Sequence, residues 1–168
     1  MPENIKIKEV KMLVTPNPLF VLENETLDDV AKAFLANPQV KTAYVVSDDL
    51  QLVGEITLSN LVKQEFRDIT PTSSIDYFSA LEFIGKDVAK DVMYKSIFVS
   101  DEDTLKTTFV KMYENDLYEL PVVDENKRLI GNIDMLELLT MLIETKEHKK
   151  GKKYMHLTSK RPFHKDFK

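Results

Sequence analysis

Hydrophobic positions along the chain fall into short runs and helical stripes that occur twice in the same order. Residues 19–62 carry LFVLENETLDDVAKAF followed by TAYVVSDDLQLVGEITLSNLV, and residues 97–139 carry IFVSDEDTLKTTFVKMY followed by LYELPVVDENKRLIGNIDMLELL. Thr26 and Leu27 precede Thr104 and Leu105 by 78 positions, whereas Val45, Val46 and Gly54 precede Val122, Val123 and Gly131 by 77. An internal repeat of this kind decides the architecture before any single motif does.

Each copy opens on an apolar run, Leu19–Leu22 or Ile97–Val99, too short for a helix and rich in strand-forming residues. Thr26 and Asp29 stand at capping-box spacing, and Leu27, Val30, Ala31, Phe34 and Leu35 form one helical stripe. Leu105, Phe109, Met112 and Tyr113 repeat that stripe in the second copy. Strands at Ala43–Val46 and Leu120–Val123 then lead through acidic turns, Asp48-Asp49 or Asp124-Glu125-Asn126, into a strand closing on Gly54 or Gly131, which reads as a hairpin. Ile56-Thr57 and Ile133-Asp134 end that strand with side-chain oxygens suited to cap a last helix, Leu58–Gln64 or Met135–Glu144. The unit is therefore strand, helix, strand, strand, helix, and the fold class is α/β (α+β). One unit leaves a sheet face without cover. Two can cover each other, so the 168 residues are expected to form one module of two pseudo-symmetric halves.

The expected organisation is an N-terminal extension over 1–9, a first repeat over 10–65, a linker over 66–90, a second repeat over 91–144 and a tail over 145–168. Within the linker, Ser74 precedes a stripe of Tyr77, Ala80, Leu81 and Ile84 that stops at Gly85, which predicts a helix. That helix either lids a site between the halves or makes an ordinary crossover over the sheet.

Composition narrows the chemistry. The chain has no cysteine, which removes thiol nucleophiles, disulfides and thiolate metal sites. His148, His156 and His164 are its only histidines and all lie in the tail, so no histidine triad or zinc site can be built inside the repeat. The four glycines are too scattered for a GxGxxG or Walker-type loop. An enzyme is not expected, and neither is a metal site. The opening MPENIKIKEVKM lacks the apolar core of a signal peptide, and no stretch approaches the roughly 20 apolar residues of a membrane span. A cytoplasmic protein is expected. Charge is uneven: nine Lys and Arg against two acids leave the tail at +7, and the rest at −12, within a net −5. Tyr154, Phe163 and Phe167 interleave with the tail cations, a composition that suits nucleic acid, an anionic surface or an acidic neighbouring subunit, or simply a solvated tail.

Taken together, the residues resemble the cystathionine-β-synthase (CBS) domain pair, or Bateman module. The likeness rests on the strand followed by Thr-Leu, the Leu-Pro-Val-Val-Asp of the second copy, the Gly-x-hydrophobic-polar-x-x-polar segments and the Asp91-Val-Met93 lead-in, and it spans roughly residues 10–144. It implies regulatory binding of an adenosyl ligand (AMP, ADP, ATP or S-adenosylmethionine) between the repeats, no catalysis, no required cofactor, and a homodimer formed through helical faces. Carried over residue by residue, it implies a first ligand site at Thr57 and Asn60 with Ile56, Thr15, Leu19, Ala43 and Tyr44. A second site is implied at Asp134 and Glu137 with Ile133, Lys95, Ser96, Ile97, Leu120 and Pro121.

Helix starts attract anions, so Thr57 is expected to admit a phosphate and Asn60 to bond sugar hydroxyls. Asp134 can only accept hydrogen bonds and is expected to repel a phosphate, an effect that Lys95 partly offsets. The second site therefore suits an uncharged or cationic adenosyl group. Thr57 and Asp134 are equally suited to plain helix capping. The expected function is a nucleotide-sensing regulator that signals to a partner. The competing expectation is an interaction module, without ligand, that docks a partner or RNA through the basic tail.

Overall fold

A computed structural model describes residues 4–65 and 88–148. The helix expected around Tyr77–Ile84 and the basic tail after His148 lie outside the described residues. The first half comprises β1 (Phe20–Leu22), α1 (Leu27–Ala36), β2 (Thr42–Val46), β3 (Leu52–Thr57) and α2 (Leu58–Glu65). A short helix, α3 (Ala89–Val92), leads into the second: β4 (Val99–Ser100), α4 (Leu105–Glu114), β5 (Glu119–Val123), β6 (Leu129–Asp134) and α5 (Met135–His148). A 3-10 segment over Ile7–Leu13 precedes β1.

Each half has one three-stranded sheet, β1-β2-β3 or β4-β5-β6, with a parallel first pair and an antiparallel hairpin. Both hairpins carry a register shift at the same place, between Val45 and Val46 and between Val122 and Val123. The helix starts repeat as well. Thr26 accepts from Asp29 N and Thr104 from Thr107 N, so each threonine satisfies one of the free N–H groups of a first turn. At the other end, the side-chain amides of Asn37 and Asn115 donate to the carbonyls of Ala33 and Lys111, four residues back.

Local details depart from the sequence expectation. Leu19 and Ile97 lie just before the first strands rather than in them, and α5 continues four residues past Glu144 to His148. On α1 the buried stripe is Leu27, Val30 and Phe34, and on α4 it is Leu105, Thr108 and Met112. Leu35, Phe109 and Tyr113 sit one position beyond these stripes, about 100° further round the helix, and are exposed. Phe109 and Tyr113 stack on each other at 6.1 Å.

The halves are joined by exchange of their lead-in segments. Ile7, Val10 and Leu13 are buried with Val99, Met112, Leu120 and Ile133 of the second half, whereas Ala89 is buried with Val21, Val30 and Ile56 of the first. Backbone bonds follow the same rule: Ile7 N to Asp103 O and Lys8 N to Asp101 O on one side, Ala89 N to Glu25 O and Lys90 N to Glu23 O on the other. Further on, Thr15 exchanges two backbone bonds with Asn132, and Tyr94 exchanges two with Glu55. The hairpin tips also meet, through Leu52 N to Lys127 O and Leu129 N to Leu50 O. Glu102 receives Lys6 and Lys8 at the surface, which holds its carboxyl down at about 2. As an exposed group it adds little to stability.

The crossing of each lead-in over a β-strand explains the two hairpin glycines. A Cβ at Gly131 would lie 2.8 Å from the Thr15 carbonyl oxygen and against Val14 Cγ1, and one at Gly54 would lie 2.8 Å from the Tyr94 carbonyl oxygen. The clash is with backbone, which cannot rotate away. Gly131→Ala is therefore expected to destabilise the chain by about 1–3 kcal/mol, as overpacking does, seen as a lower urea midpoint at unchanged m-value. An unaltered midpoint would contradict the crossing.

Candidate functional site

Where the two sheets approach each other, beside the Thr15–Asn132 ladder, lies a crevice of about 820 Å³. The first half contributes Thr15, Leu19, Lys41, Tyr44, Glu55 and Thr57, and the second contributes Tyr118, Glu119, Asn132, Asp134, Leu136 and Leu139. The volume lies within the range of small-molecule sites. Its walls follow from the repeat: Glu55 and Thr57 on β3 match Asn132 and Asp134 on β6, each 77 positions on.

Thr57 caps α2, accepting from Asn60 N at 3.1 Å. Asp134 and Glu137 form a reciprocal capping box at the start of α5: Glu137 N donates to Asp134 at 2.9 Å and Asp134 N donates to Glu137 at 2.7 Å. Glu137 also accepts from the Thr15 hydroxyl at 2.6 Å, which ties the lead-in of one half to the last helix of the other.

The structure brings Thr15, Leu19, Tyr44 and Thr57 together, and Asp134 opens onto the same crevice rather than a separate one. Other residues of the two expected sets lie elsewhere. The side chains of Ala43, Ile56, Leu120 and Ile133 are 0–1% exposed and belong to the two cores. Pro121 is buried on β5, Ile97 packs against the second core, Lys95 is exposed, and Asn60 is half-buried on α2. Ser96 is buried and donates to the Glu55 carboxylate at 2.6 Å.

Lys41, Glu55, Tyr118, Glu119 and Asn132 were not anticipated. Four of them align at the 77-residue offset, Glu55 with Asn132 and Lys41 with Tyr118, so the repeat itself carried the signal. The lining is acidic: Glu55, Asp116, Glu119 and Asp134 face it against Lys41, whose ammonium donates to the Pro38 carbonyl at 3.1 Å. Burial pushes the Glu55 carboxyl above its ordinary range; the Ser96 hydroxyl pulls it back, and the neighbouring Glu119 charge adds to the rise. Burial likewise pushes the Tyr44 phenol up, with the charges of Glu119 and Glu55 contributing and a hydrogen bond with Asn132 acting against them.

Comparison with known proteins gives a consistent picture. The family model described as "CBS domain" matches residues 7–66 and 89–144. An uncharacterised protein of Methanocaldococcus jannaschii is 28% identical over 150 residues, covering 77% of this chain and 89% of that one. Matches to a homoserine O-acetyltransferase of Methanococcus vannielii and to a second M. jannaschii protein span only 24% and 42% of those longer chains. Among solved structures, CBSX2, a CBS-pair protein of Arabidopsis thaliana, in complex with AMP superposes at TM-score 0.64 with 21% identity, over 84% of this chain and 98% of that one. The cytosolic domain of the Mg2+ channel MgtE in complex with ATP superposes at TM-score 0.59 with 22% identity, over 76% and 46%.

The raised Glu55 carboxyl makes a signed prediction. Between its ordinary value of 4.5 and its higher folded value, the folded chain holds a proton that the unfolded chain has released, so stability falls as pH rises through that window. Glu55→Gln removes the burden and can still accept from Ser96. Its melting temperature should exceed the parent's at neutral pH and converge with it below pH ~4. A difference that is constant with pH would contradict this.

Proposed function

The chain belongs to the CBS domain family, and on that premise we propose that it is a regulatory module that binds an adenosyl ligand in the crevice between its halves and passes the occupancy to a partner by conformational change. The observation that carries the reading is that the two walls of an 820 Å³ crevice come from different halves. A ligand touching both walls has an affinity that depends on how the halves sit, so it biases that arrangement by its differential affinity. The AMP complex of CBSX2 and the ATP complex of the MgtE cytosolic domain support an adenine-containing occupant. S-adenosylmethionine belongs to the same proposal, as do Thr57 at a helix start and Thr15, Leu19 and Tyr44 on the wall. Pro18, Leu19, Val40 and Leu139 supply apolar surface for a purine.

No covalent chemistry is assigned to the chain, and a cytoplasmic location goes with the nucleotide reading. We assign the helical faces to a second copy. An apolar groove of about 380 Å³ between α1 and α2, lined by Leu35, Leu58 and Val62, is repeated by one of about 360 Å³ between α4 and α5, lined by Phe109, Leu138 and Leu142. Two like grooves related by the internal pseudo-symmetry suit a self-complementary interface.

Two measurements follow. Calorimetric titration of the full chain with AMP, ATP and S-adenosylmethionine should give saturable binding with at least one of them. Leu139→Trp, which fills the crevice from an exposed position on α5, should weaken that binding at least tenfold. No heat with any of the three would contradict the reading. In sedimentation equilibrium the parent should be a dimer and the Phe109→Glu, Leu142→Glu double variant a folded monomer. A parent that is already monomeric at high micromolar concentration would contradict the assignment of the helical faces.

A further inference from the structure

The internal symmetry of the chain breaks at the two lead-ins. Thr15 pairs with Asn132 as Tyr94 pairs with Glu55, and a Cβ at Gly131 would meet Val14 and Thr15 where one at Gly54 would meet Met93 and Tyr94. Thr15 and Tyr94 are therefore equivalent, and they lie 79 positions apart. Val21 and Val99, which pair with the equivalent Val45 and Val122, lie only 78 apart. The first lead-in is thus one residue longer than the second. Within it Asn17, set between Pro16 and Pro18, takes a left-handed backbone (φ 58°), which asparagine tolerates better than most residues. The side chains differ accordingly. Asn17 is exposed, whereas Ser96, also two residues past its ladder, is 7% exposed and its hydroxyl donates to Glu55 at 2.6 Å. The equivalent of Glu55 is Asn132, whose amide donates to Glu119 of its own hairpin at 3.2 Å.

We propose that the crevice takes one ligand per chain and in one orientation, its ring against the first lead-in, because the extra residue at Asn17 opens that end and the Ser96–Glu55 bond closes the other. The repeat by itself implies two equivalent positions, one beside each lead-in. The crevice is lined by Thr15, Asn17, Pro18 and Leu19 of the first, whereas Tyr94, Lys95, Ser96 and Ile97 of the second do not reach its lining. Pro18 and Leu19, with Val40, offer a ring an apolar wall that carries no hydrogen bond to break. At the other end a ring would have to part the Ser96 hydroxyl from a carboxylate, a stronger bond than one between neutral groups. Both helix starts, at Thr57 and Asp134, open onto the same space, so one occupant there excludes a second. The inference rests on the crevice being the adenosyl site and adds how many molecules it holds and which way round.

The test begins with calorimetric titration of the full chain with AMP, ATP and S-adenosylmethionine, in which each compound that binds should saturate at one molecule per chain. The chain has no tryptophan, so Pro18→Trp and Tyr94→Trp each place a single indole on one lead-in. Saturating ligand should change the emission of the first and leave that of the second as it was. A Pro18→Trp chain that no longer binds while the Tyr94→Trp chain does supports the inference equally. Deleting Asn17, which gives the first lead-in the length of the second, should weaken binding at least tenfold in a chain that still unfolds cooperatively. Two molecules per chain, a Tyr94→Trp emission that responds as strongly as that of Pro18→Trp, or an affinity unchanged by the deletion overturns the inference and leaves the adenosyl reading standing. If none of the three compounds saturates, both fall. Should the shortened chain not fold, the stoichiometry and the two tryptophan variants decide.

Discussion

The exchange of lead-in segments is the constraint on which the rest of this structure depends. Each half holds its last β-strand against a piece of chain that belongs, in sequence, to the other: Thr15 on Asn132, and Tyr94 on Glu55. These ladders place backbone directly over Gly54 and Gly131, which is why no side chain can stand there. A small β-α-β-β-α unit buries too little surface to be secure alone. Here Ile7, Val10 and Leu13 complete one core and Ala89 completes the other, so neither core is whole without the partner's segment.

The same exchange creates the crevice and sets its chemistry. Because each lead-in pairs with the last strand of the other half and the hairpin tips meet, the half-buried residues Glu55, Thr57, Asn132 and Asp134 of β3 and β6 face one shared space instead of bulk water. Carboxylates that would be unremarkable on an open sheet become partly desolvated, and Glu55 responds by holding its proton more tightly. Tyr44 is buried in the same place, with its hydroxyl beside the Asn132 amide of the other half. An occupant spanning these walls would bridge the two halves. That is the physical basis for reading the module as a regulator rather than a scaffold.

Much of this was legible in the sequence, for identifiable reasons. The repeat, the strand-helix-hairpin-helix order and the threonine caps at Thr26 and Thr104 depend on local spacing, which a chain displays openly. The cap positions Thr57 and Asp134 were legible for the same reason, and both open onto the crevice. What stayed hidden depends on contacts between distant segments. Glu55, Glu119 and Asn132 alternate with apolar residues on their strands, the pattern of any sheet with one face in water. Nothing local says that the polar face is turned toward another half. Ala43, Ile56, Leu120 and Ile133 fall on the opposite side of that alternation and are core. Leu35, Phe109 and Tyr113 were misplaced because a stripe of apolar residues does not reveal which edge of it the core reaches.

If the exchanged segments make the two halves one body, their backbone amides cannot open separately. Hydrogen exchange of the full chain over a series of low urea concentrations tests this directly, following the amides of Ile7, Thr15, Glu55, Ala89, Tyr94 and Asn132, all of which donate across the seam. All six should converge on the free energy and urea dependence of global unfolding. If the amides that hold the first half together exchange at a distinctly lower free energy than those of the second, the halves are independent units and the shared crevice loses its foundation.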